Sequence, residues 1–424
     1  MSFPRGPAGL RDRRRASYGG LAPLRPAGLG SIGPQQPRSL PRRMLAKGSA
    51  ARHMDWILLA AVLGLALIGS LLVWSATQPA LLQAGSDPRA YLKKQLLNIA
   101  LGLIFMLITS TLDYRRLRLY APVVYGVSCL GLIAVLSPLG STVNGAHSWI
   151  SLPAGFQLEP SEYAKLGLIL LTAVILAGHR QGQGQGQARP GPRAVALAVA
   201  CAALPLVLVA LQPDLGVVIL MTAITVGMIA LSGIRLGWLA GFAAAGLAVA
   251  VAAVNLHLLK AYQLNRLTSF LNPSADPRGS GYSADQSKIA IGSGGLFGRG
   301  LFHGPLTAGN FVPEQHTDFI FSVAGEELGF AGAAVIILLL AVVFLRALRI
   351  AAHADDQFGM LVAAGIAIWF AVQAFVNIGM TIGIMPVTGL PLPFVSYGGS
   401  AMFADMIAIG ALHSVRRHMS LFSD

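Results

Sequence analysis

Apolar stretches of about eighteen residues or more recur along this 424-residue chain from Asp55 to His413. Each is long enough to cross the hydrocarbon core of a bilayer as a helix. Ten are present, at about 55–77, 95–112, 119–138, 161–178, 194–211, 216–233, 236–259, 319–345, 357–384 and 399–415. They leave room for little else, since only 11% of residues are charged, against roughly a quarter in soluble domains. Gly and Ala along one side of several runs suit close helix packing in lipid. The pattern predicts an all-α polytopic membrane protein with ten transmembrane helices over 55–417. A large outer loop at about 260–318 separates the seventh from the eighth.

The formal net charge of +14 is concentrated in one place. Residues 1–54 hold eleven Lys or Arg against the single acid Asp12, whereas the rest of the chain carries twenty basic and sixteen acidic residues. The excess therefore describes a tail and argues against a nucleic-acid surface. That tail is rich in Pro, Gly and Arg without apolar periodicity, which reads as a disordered basic segment on the cytoplasmic side. The short loops on that side add Arg115, Arg116, Arg118, Arg180, Arg189, Arg193, Arg235, Arg346, Arg349, Arg416 and Arg417. Both termini, including a short tail at 418–424, are expected in the cytoplasm, with a Gly-Gln linker at 181–192. Ten of the sixteen remaining acids fall at the opposite face, which makes it the working face. Cys129 and Cys201, both inside apolar runs, support neither a disulfide framework nor a thiol-metal site.

Ionisable groups at membrane depth are expensive and face protein or a watery cavity. Asp276 precedes Pro277, with Gly279 and Gly281 following. That pattern presents a carboxylate at a cavity, or folds it back as an Asx-type turn on its own backbone. Ile291-Gly-Ser-Gly-Gly295 suits either backbone N–H groups against a phosphate or a flexible turn. His316, Asp318, Glu326 and Glu327 lead into the eighth run. For a helix starting near His316, Glu327 shares its face and Asp318 and Glu326 lie about 80° apart. Such a set suits helix-to-helix hydrogen bonding or a two-carboxylate and His metal site.

At the fourth run, Ser161 is placed to cap the helix, while Glu162 and Lys165 share a face at i,i+3. Lys165 requires an anionic partner there, either Glu162 or a ligand phosphate. Asp214, Asn377 and Asp405 are further polar marks. Residues 386–400 hold too much Pro and Gly for a lipid-exposed helix, and suit a re-entrant segment lining a cavity. A transporter and a lipid-using enzyme both fit these residues.

Eight stretches in series resemble the SEDS family (shape, elongation, division, sporulation). They are Asn144-Gly-Ala…Trp149, Pro160-Ser-Glu-Tyr-Ala-Lys165, Gln212-Pro-Asp-Leu-Gly216, Asp276-Pro-Arg-Gly-Ser-Gly-Tyr282, Gln286-Ser-Lys-Ile-Ala-Ile-Gly-Ser-Gly-Gly295, Pro313-Glu-Gln-His-Thr-Asp-Phe-Ile-Phe321, Glu326-Glu-Leu-Gly329 and Leu392-Pro-Phe-Val-Ser-Tyr-Gly-Gly-Ser400. Gln286-Ser-Lys-Ile-Ala and Val387-Thr-Gly-Leu-Pro-Leu-Pro look more like the elongation branch than the division branch.

The resemblance implies a multi-pass protein of the bacterial inner membrane with its active face in the periplasm. Its implied activity is that of a peptidoglycan glycosyltransferase, polymerising lipid II into glycan strands during lateral wall elongation and rod-shape maintenance. Undecaprenyl pyrophosphate is the implied leaving group. The implied partners are a class B penicillin-binding transpeptidase and other membrane proteins of the elongation complex. Asp276 matches the family's loop aspartate, expected to act as general base on the acceptor hydroxyl. Lys165, with Arg266, is expected to neutralise the pyrophosphate, and Trp149, Glu162, His316, Asp318, Glu326, Glu327 and Ser396 are expected around the cavity.

The sequence departs from that family's pattern in three places. Ser148 stands where an Arg is usual, Gln157-Leu-Glu159-Pro160 replaces Arg-x-Gln-Pro, and Gly304-Pro-Leu306 replaces Gly-Thr-Gln. With positive charge lost, either Lys165 and Arg266 carry the phosphate or a divalent cation, Mg2+ or Mn2+, bridges Glu159 to it. No side-chain metal site is otherwise expected. The competing reading is a lipid II translocase or a scaffold for the transpeptidase. The lack of an internal repeat and the one-sided acids favour the enzyme.

Overall fold

Each apolar run folds as helix, and several of the aspartates between runs start the helix that follows. The computed structural model describes residues 54–143, 146–151, 157–178, 190–234, 236–255, 264, 266, 268–270, 276 and 279–419. The basic tail up to residue 53, the linker at 179–189, Arg235, Asn144, Pro277 and residues 420–424 lie outside the described residues. The helices are α1 (Trp56–Gln83), α2 (Ala90–Thr111), α3 (Tyr114–Leu136), α4 (Pro160–Gly178), α5 (Pro192–Leu211), α6 (Leu215–Leu231) and α7 (Leu236–Asn255). After them come α8 (Ser280–Ser293), α9 (Pro305–Ala308), α10 (Ile320–Glu327), α11 (Gly329–Ala352), α12 (Gln357–Ile382) and α13 (Gly399–Met419).

Asp55, Asp113, Asp214 and Asp356 are the N-caps of α1, α3, α6 and α12. Each carboxylate accepts a first-turn backbone N–H at 2.9 to 3.1 Å, satisfying donors that have no partner inside the helix. Asp55 also holds Arg346 of α11 and Arg416 of α13 at 2.6 and 2.5 Å, which clasps three helices at the end of the bundle that begins with Asp55.

Among the described residues seven helices, α1–α5, α11 and α12, are long and apolar enough to cross a membrane, which makes this a multi-pass membrane protein. The expected ten differ because α6 is a shorter apolar helix of 17 residues and α7 and α13 are not among the seven. In their most apolar windows 78% of α4 and 72% of α12 is buried, against 28% of α3 and of α11. α4 and α12 therefore form the middle, and the others spend much of their surface on the surroundings.

Three expectations are corrected. The chain is not purely helical: β1 (Gly140–Val143), β2 (Ala146–Ser151) and β3 (Gln157–Leu158) form an antiparallel sheet in the order β1-β2-β3. Ser141 stands opposite Trp149, and Ile150 opposite Leu158. The segment at 260–318 is not a plain loop, since it contains α8 and α9, and residues 291–293 are the last turn of α8 rather than a phosphate cradle or flexible turn. The expected helix over 319–345 starts at Ile320, not near His316, and breaks at Leu328.

That break has a physical cause. Gly329 has φ +68°, and a Cβ there would lie 2.2 Å from the Gly298 nitrogen. The backbone groups freed by the break are taken up by the neighbouring segment. Phe330 and Ala331 donate to Gly295 and Leu296 carbonyls, and Arg299 and Gly300 donate to Glu326 and Glu327 carbonyls, at 2.9 to 3.0 Å. A broken helix survives at membrane depth when protein satisfies its backbone in this way.

Candidate functional site

The polar groups gather at one end of the bundle, where residues 383–398 run without helix between α12 and α13. Its second half is the more buried, with Leu390 and residues 392–396 all buried, as expected of a stretch lining protein rather than lipid. The Asn377 amide of α12 donates to the Leu390 and Asp318 carbonyls, both at 2.7 Å. Ser396 Oγ accepts from the Leu392 N–H at 2.8 Å and donates to the Thr317 carbonyl at 2.5 Å, so this buried serine holds backbone together. The Tyr397 N–H donates to the His316 carbonyl at 3.0 Å. The His316 ring stands edge-on to Tyr91 at 5.2 Å, and burial holds it below the usual histidine range. His316, Asp318 and Ser396 thus share one wall.

Asp276 lies beside that wall at the start of α8. Its Oδ2 accepts the Ser280 N–H at 2.9 Å and the Ser280 hydroxyl at 3.2 Å. Ser280 Oγ is 2.7 Å from Ser269 Oγ, and Ser269 donates to the Arg266 carbonyl at 3.3 Å. Gly279 permits the fold-back, since a Cβ there would lie 2.4 Å from the carboxylate oxygen. The carboxylate is therefore turned onto its own backbone, the local alternative in the Asp-Pro-x-Gly pattern, yet it stays only half-buried.

Arg266 Nη1 donates to the Thr388 carbonyl at 3.3 Å, and its charge stabilises the carboxylates of Asp214 and Asp318. Burial works against both. Asp214 is raised, and Asp318 is pushed up to about 7 by burial and by the Glu314 carboxylate. Glu159, just ahead of α4, is raised by burial and then by Glu162. Several carboxyls crowded into little solvent are the setting in which proton-transfer groups are tuned toward neutrality.

The remaining candidates are used differently. Lys165 and Glu162 meet at 2.7 Å as a buried ion pair on α4, a contact that is electrostatic rather than a directed hydrogen bond. Lys165 also donates to Gln373 Oε1 at 3.1 Å and stands 4.6 Å from the Trp369 ring centre. Glu162 is thus the anion that Lys165 required. Ser161 does not cap α4; its hydroxyl donates to Glu159 at 2.7 Å. Glu326 accepts from the Leu306 and Thr307 N–H groups at 2.8 Å and from the Thr307 hydroxyl at 2.6 Å, which caps α9. Glu327 accepts from Ser75 at 2.5 Å and from the Phe302 N–H at 3.2 Å. Both glutamates anchor the segment between α8 and α10. Trp149 sits on β2, in the sheet that packs on α3 and the start of α4.

Among the described residues no three His, Cys, Asp or Glu side chains converge as metal ligands. Gln373, Trp369, Ser269 and Ser280 escaped the sequence reading. Gln373 carried a signal, an amide one turn before Asn377 within an apolar run, whereas the two serines are unremarkable until the fold joins them to Asp276.

Comparison with known proteins gives this arrangement its relatives. The family model for cell cycle proteins of the FtsW, RodA and SpoVE type matches residues 55–421. A probable peptidoglycan glycosyltransferase FtsW of Trichlorobacter lovleyi is 38% identical over 379 residues, covering 89% of this chain and 97% of that one. A chain solved in a peptidoglycan synthase complex that coordinates polymerization and crosslinking is 29% identical with a TM-score of 0.70, covering 87% and 99%. The rod shape determining protein RodA of Thermus thermophilus is 28% identical with a TM-score of 0.62, covering 87% and 98%.

Proposed function

This chain belongs to the FtsW, RodA and SpoVE family of cell cycle proteins, the SEDS family, and from that premise we propose that it is a peptidoglycan glycosyltransferase. Its substrate is lipid II and its product a glycan strand. The observation that carries the reading is the half-buried Asp276 carboxylate at the start of α8, beside Arg266 and the buried acids of the polar end. Among the described residues, hydrogen bonds reach Asp276 Oδ2 only, so Oδ1 is the oxygen assigned to proton transfer.

In the step we assign, Asp276 takes the proton of the acceptor sugar hydroxyl as that oxygen bonds to the anomeric carbon of the lipid-linked strand. The bond from that carbon to the pyrophosphate oxygen breaks with inversion, and undecaprenyl pyrophosphate leaves with the electron pair. General-base assistance of this kind contributes about 10²–10⁴-fold.

The finer assignments are part of the same proposal. The active face is periplasmic, the chain crosses the membrane ten times, and both termini are cytoplasmic. The elongation branch is favoured by Gln286-Ser-Lys-Ile-Ala and Val387-Thr-Gly-Leu-Pro-Leu-Pro, and by similarity to a rod shape determining protein. A class B penicillin-binding transpeptidase is the proposed partner, supported by similarity to a chain within a peptidoglycan synthase complex.

The test is polymerisation of lipid II by the purified protein with its transpeptidase, cross-linking being blocked by a β-lactam. Wild type makes glycan strands and Asp276→Asn loses about a hundredfold or more in rate. Asn keeps a side-chain oxygen that can accept the Ser280 N–H, so the fold-back is preserved in the variant. Wild-type rate in Asp276→Asn sinks the base assignment, and translocation of lipid II without polymerisation replaces the enzyme by a translocase.

A further inference from the structure

We propose that the recess between α8 and the end of α12 is a phosphate-binding subsite, in which Lys288 and Arg266 hold the diphosphate of a lipid-linked sugar beside Asp276. The proposal rests on the glycosyltransferase reading and adds the residues that meet the leaving group. The recess is shallow and half-open, with a cavity volume of about 20 Å3, so a diphosphate would sit at its mouth; it is lined by Arg266, Ser269, Ser280, Lys288, Gly383 and Pro386 among others. Two cationic and two hydroxyl-bearing residues thus line one small space. Ser280, which holds Asp276, forms part of its wall.

The geometry brings Lys288 to the recess through its stem. Gly383 closes α12 with φ +81°, and the Lys288 side chain crosses it so closely that a Cβ there would lie 3.0 Å from Cδ. The ammonium pairs with Asp285 at 2.7 Å, with 42% and 46% of the two side chains exposed. An exposed i,i+3 pair of this kind is weak, so a more highly charged anion displaces it. Arg266 contributes a planar fork suited to two phosphate oxygens, already oriented by the Thr388 carbonyl. The acids flanking Arg266 oppose an anion least when protonated, and burial raises both Asp214 and Asp318 toward that state.

Lys165, the other cation expected at the pyrophosphate, is differently placed. It is 0% exposed and engaged by Glu162, Gln373 and Trp369. A ligand oxygen reaches Lys288 without breaking a buried ion pair. In the sequence Lys288 lies inside Gln286-Ser-Lys-Ile-Ala, so the subsite gives that elongation-type motif a chemical role.

The same phosphate chemistry is offered by a polyprenyl diphosphate and by the headgroups of anionic phospholipids, and the experiment separates them. Full-length protein in phosphatidylcholine nanodiscs is titrated calorimetrically with inorganic pyrophosphate, and separately assayed for enrichment of phosphatidylglycerol. Wild type binds pyrophosphate saturably. Lys288→Gln weakens binding roughly tenfold, as loss of one charge-assisted contact predicts, and Lys288→Arg restores it at unchanged melting temperature.

Absence of saturable binding by wild type overturns the subsite, as does unchanged binding by Lys288→Gln. Loss of phosphatidylglycerol enrichment with pyrophosphate binding intact overturns it in favour of bilayer headgroups. The titration needs no turnover. A protein that binds pyrophosphate through Lys288 but makes no glycan refutes the enzyme reading alone. Polymerisation by Lys288→Gln at wild-type KM for lipid II refutes the subsite alone.

Discussion

Replacing Lys165 by Met tests whether the pair at the middle of the bundle is a structural element. Lys165 and Glu162 are 0% and 1% exposed, and the lysine charge is met by Glu162 at 2.7 Å, Gln373 at 3.1 Å and the Trp369 ring at 4.6 Å. Met has nearly the volume of the lysine stem, so the cavity contribution is small. What remains is a stranded carboxylate, and removing one partner of a buried pair costs about 3–5 kcal/mol. At roughly 2 °C per kcal/mol for a chain this large, Lys165→Met should melt about 5–10 °C below wild type. Fluorescence-detected size exclusion of heated, detergent-solubilised protein reads the shift.

Glu162→Gln strands the ammonium instead and also destabilises, by less, because Gln373 and Trp369 still receive the charge. Glu162→Gln with Lys165→Met removes both charges, and replacing a buried pair by neutral groups is close to neutral or stabilising. The double variant should therefore return to within about 3 °C of wild type, a coupling of at least about 2 kcal/mol. Melting of Lys165→Met within about 1 °C of wild type would refute the reasoning. So would a double variant as unstable as the sum of its parents. The stable double variant then reports on function: it keeps polymerising if the pair only builds the bundle, and stops if Lys165 itself meets substrate.

Three further outcomes follow from other contacts. Glu326→Ala removes the acceptor of three hydrogen bonds that cap α9, and each unsatisfied buried donor costs about 1–3 kcal/mol. Hydrogen exchange at residues 302–310 should accelerate at least tenfold, by that estimate, while the ends of α12 stay protected; unchanged exchange would refute the capping role. Gly329→Ala forces a Cβ to 2.2 Å from the Gly298 nitrogen at φ +68°, so it should give little monodisperse protein, and normal yield would show that the helix break is not needed. Asp318, raised to about 7, binds more protons folded than unfolded between its ordinary value of 3.8 and 7. Its contribution to stability therefore falls as pH rises through that window, and Asp318→Asn should flatten the decline in melting temperature between pH 4.5 and 8, whereas a slope equal to wild type would contradict the shift.

What the sequence carried about this fold was what local chemistry encodes. Runs of eighteen apolar residues favour helix in lipid, and where these runs are described they are helical, seven of them as helices long and apolar enough to cross a membrane. An i,i+3 Glu and Lys on one of them share a face, so their meeting was one of the two outcomes that spacing allowed. Asp276 before Pro277, with Gly279 after, was legible as a fold-back for the same reason: Ser280 is only four residues away. The sheet was not legible, because strands of two to six residues leave little alternation to read.

The helix break was hidden more deeply. Leu328 and Gly329 sit in an apolar run, and the cause is a backbone thirty residues earlier that supplies the replacement hydrogen bonds. Partners such as Lys165 and Gln373, 208 residues apart, have no local trace at all. The acids of this chain divide along that line. Four aspartates serve the helix they precede, which makes them N-caps first. Glu326 and Glu327 serve a segment about twenty residues earlier, and so look like cavity residues in sequence while acting as anchors. Asp276 stands between the classes: it accepts from Ser280 at the start of α8, but through one oxygen and while still half-exposed. A carboxylate fixed by its own helix and open on one side is positioned without being consumed, which is the condition a general base has to meet.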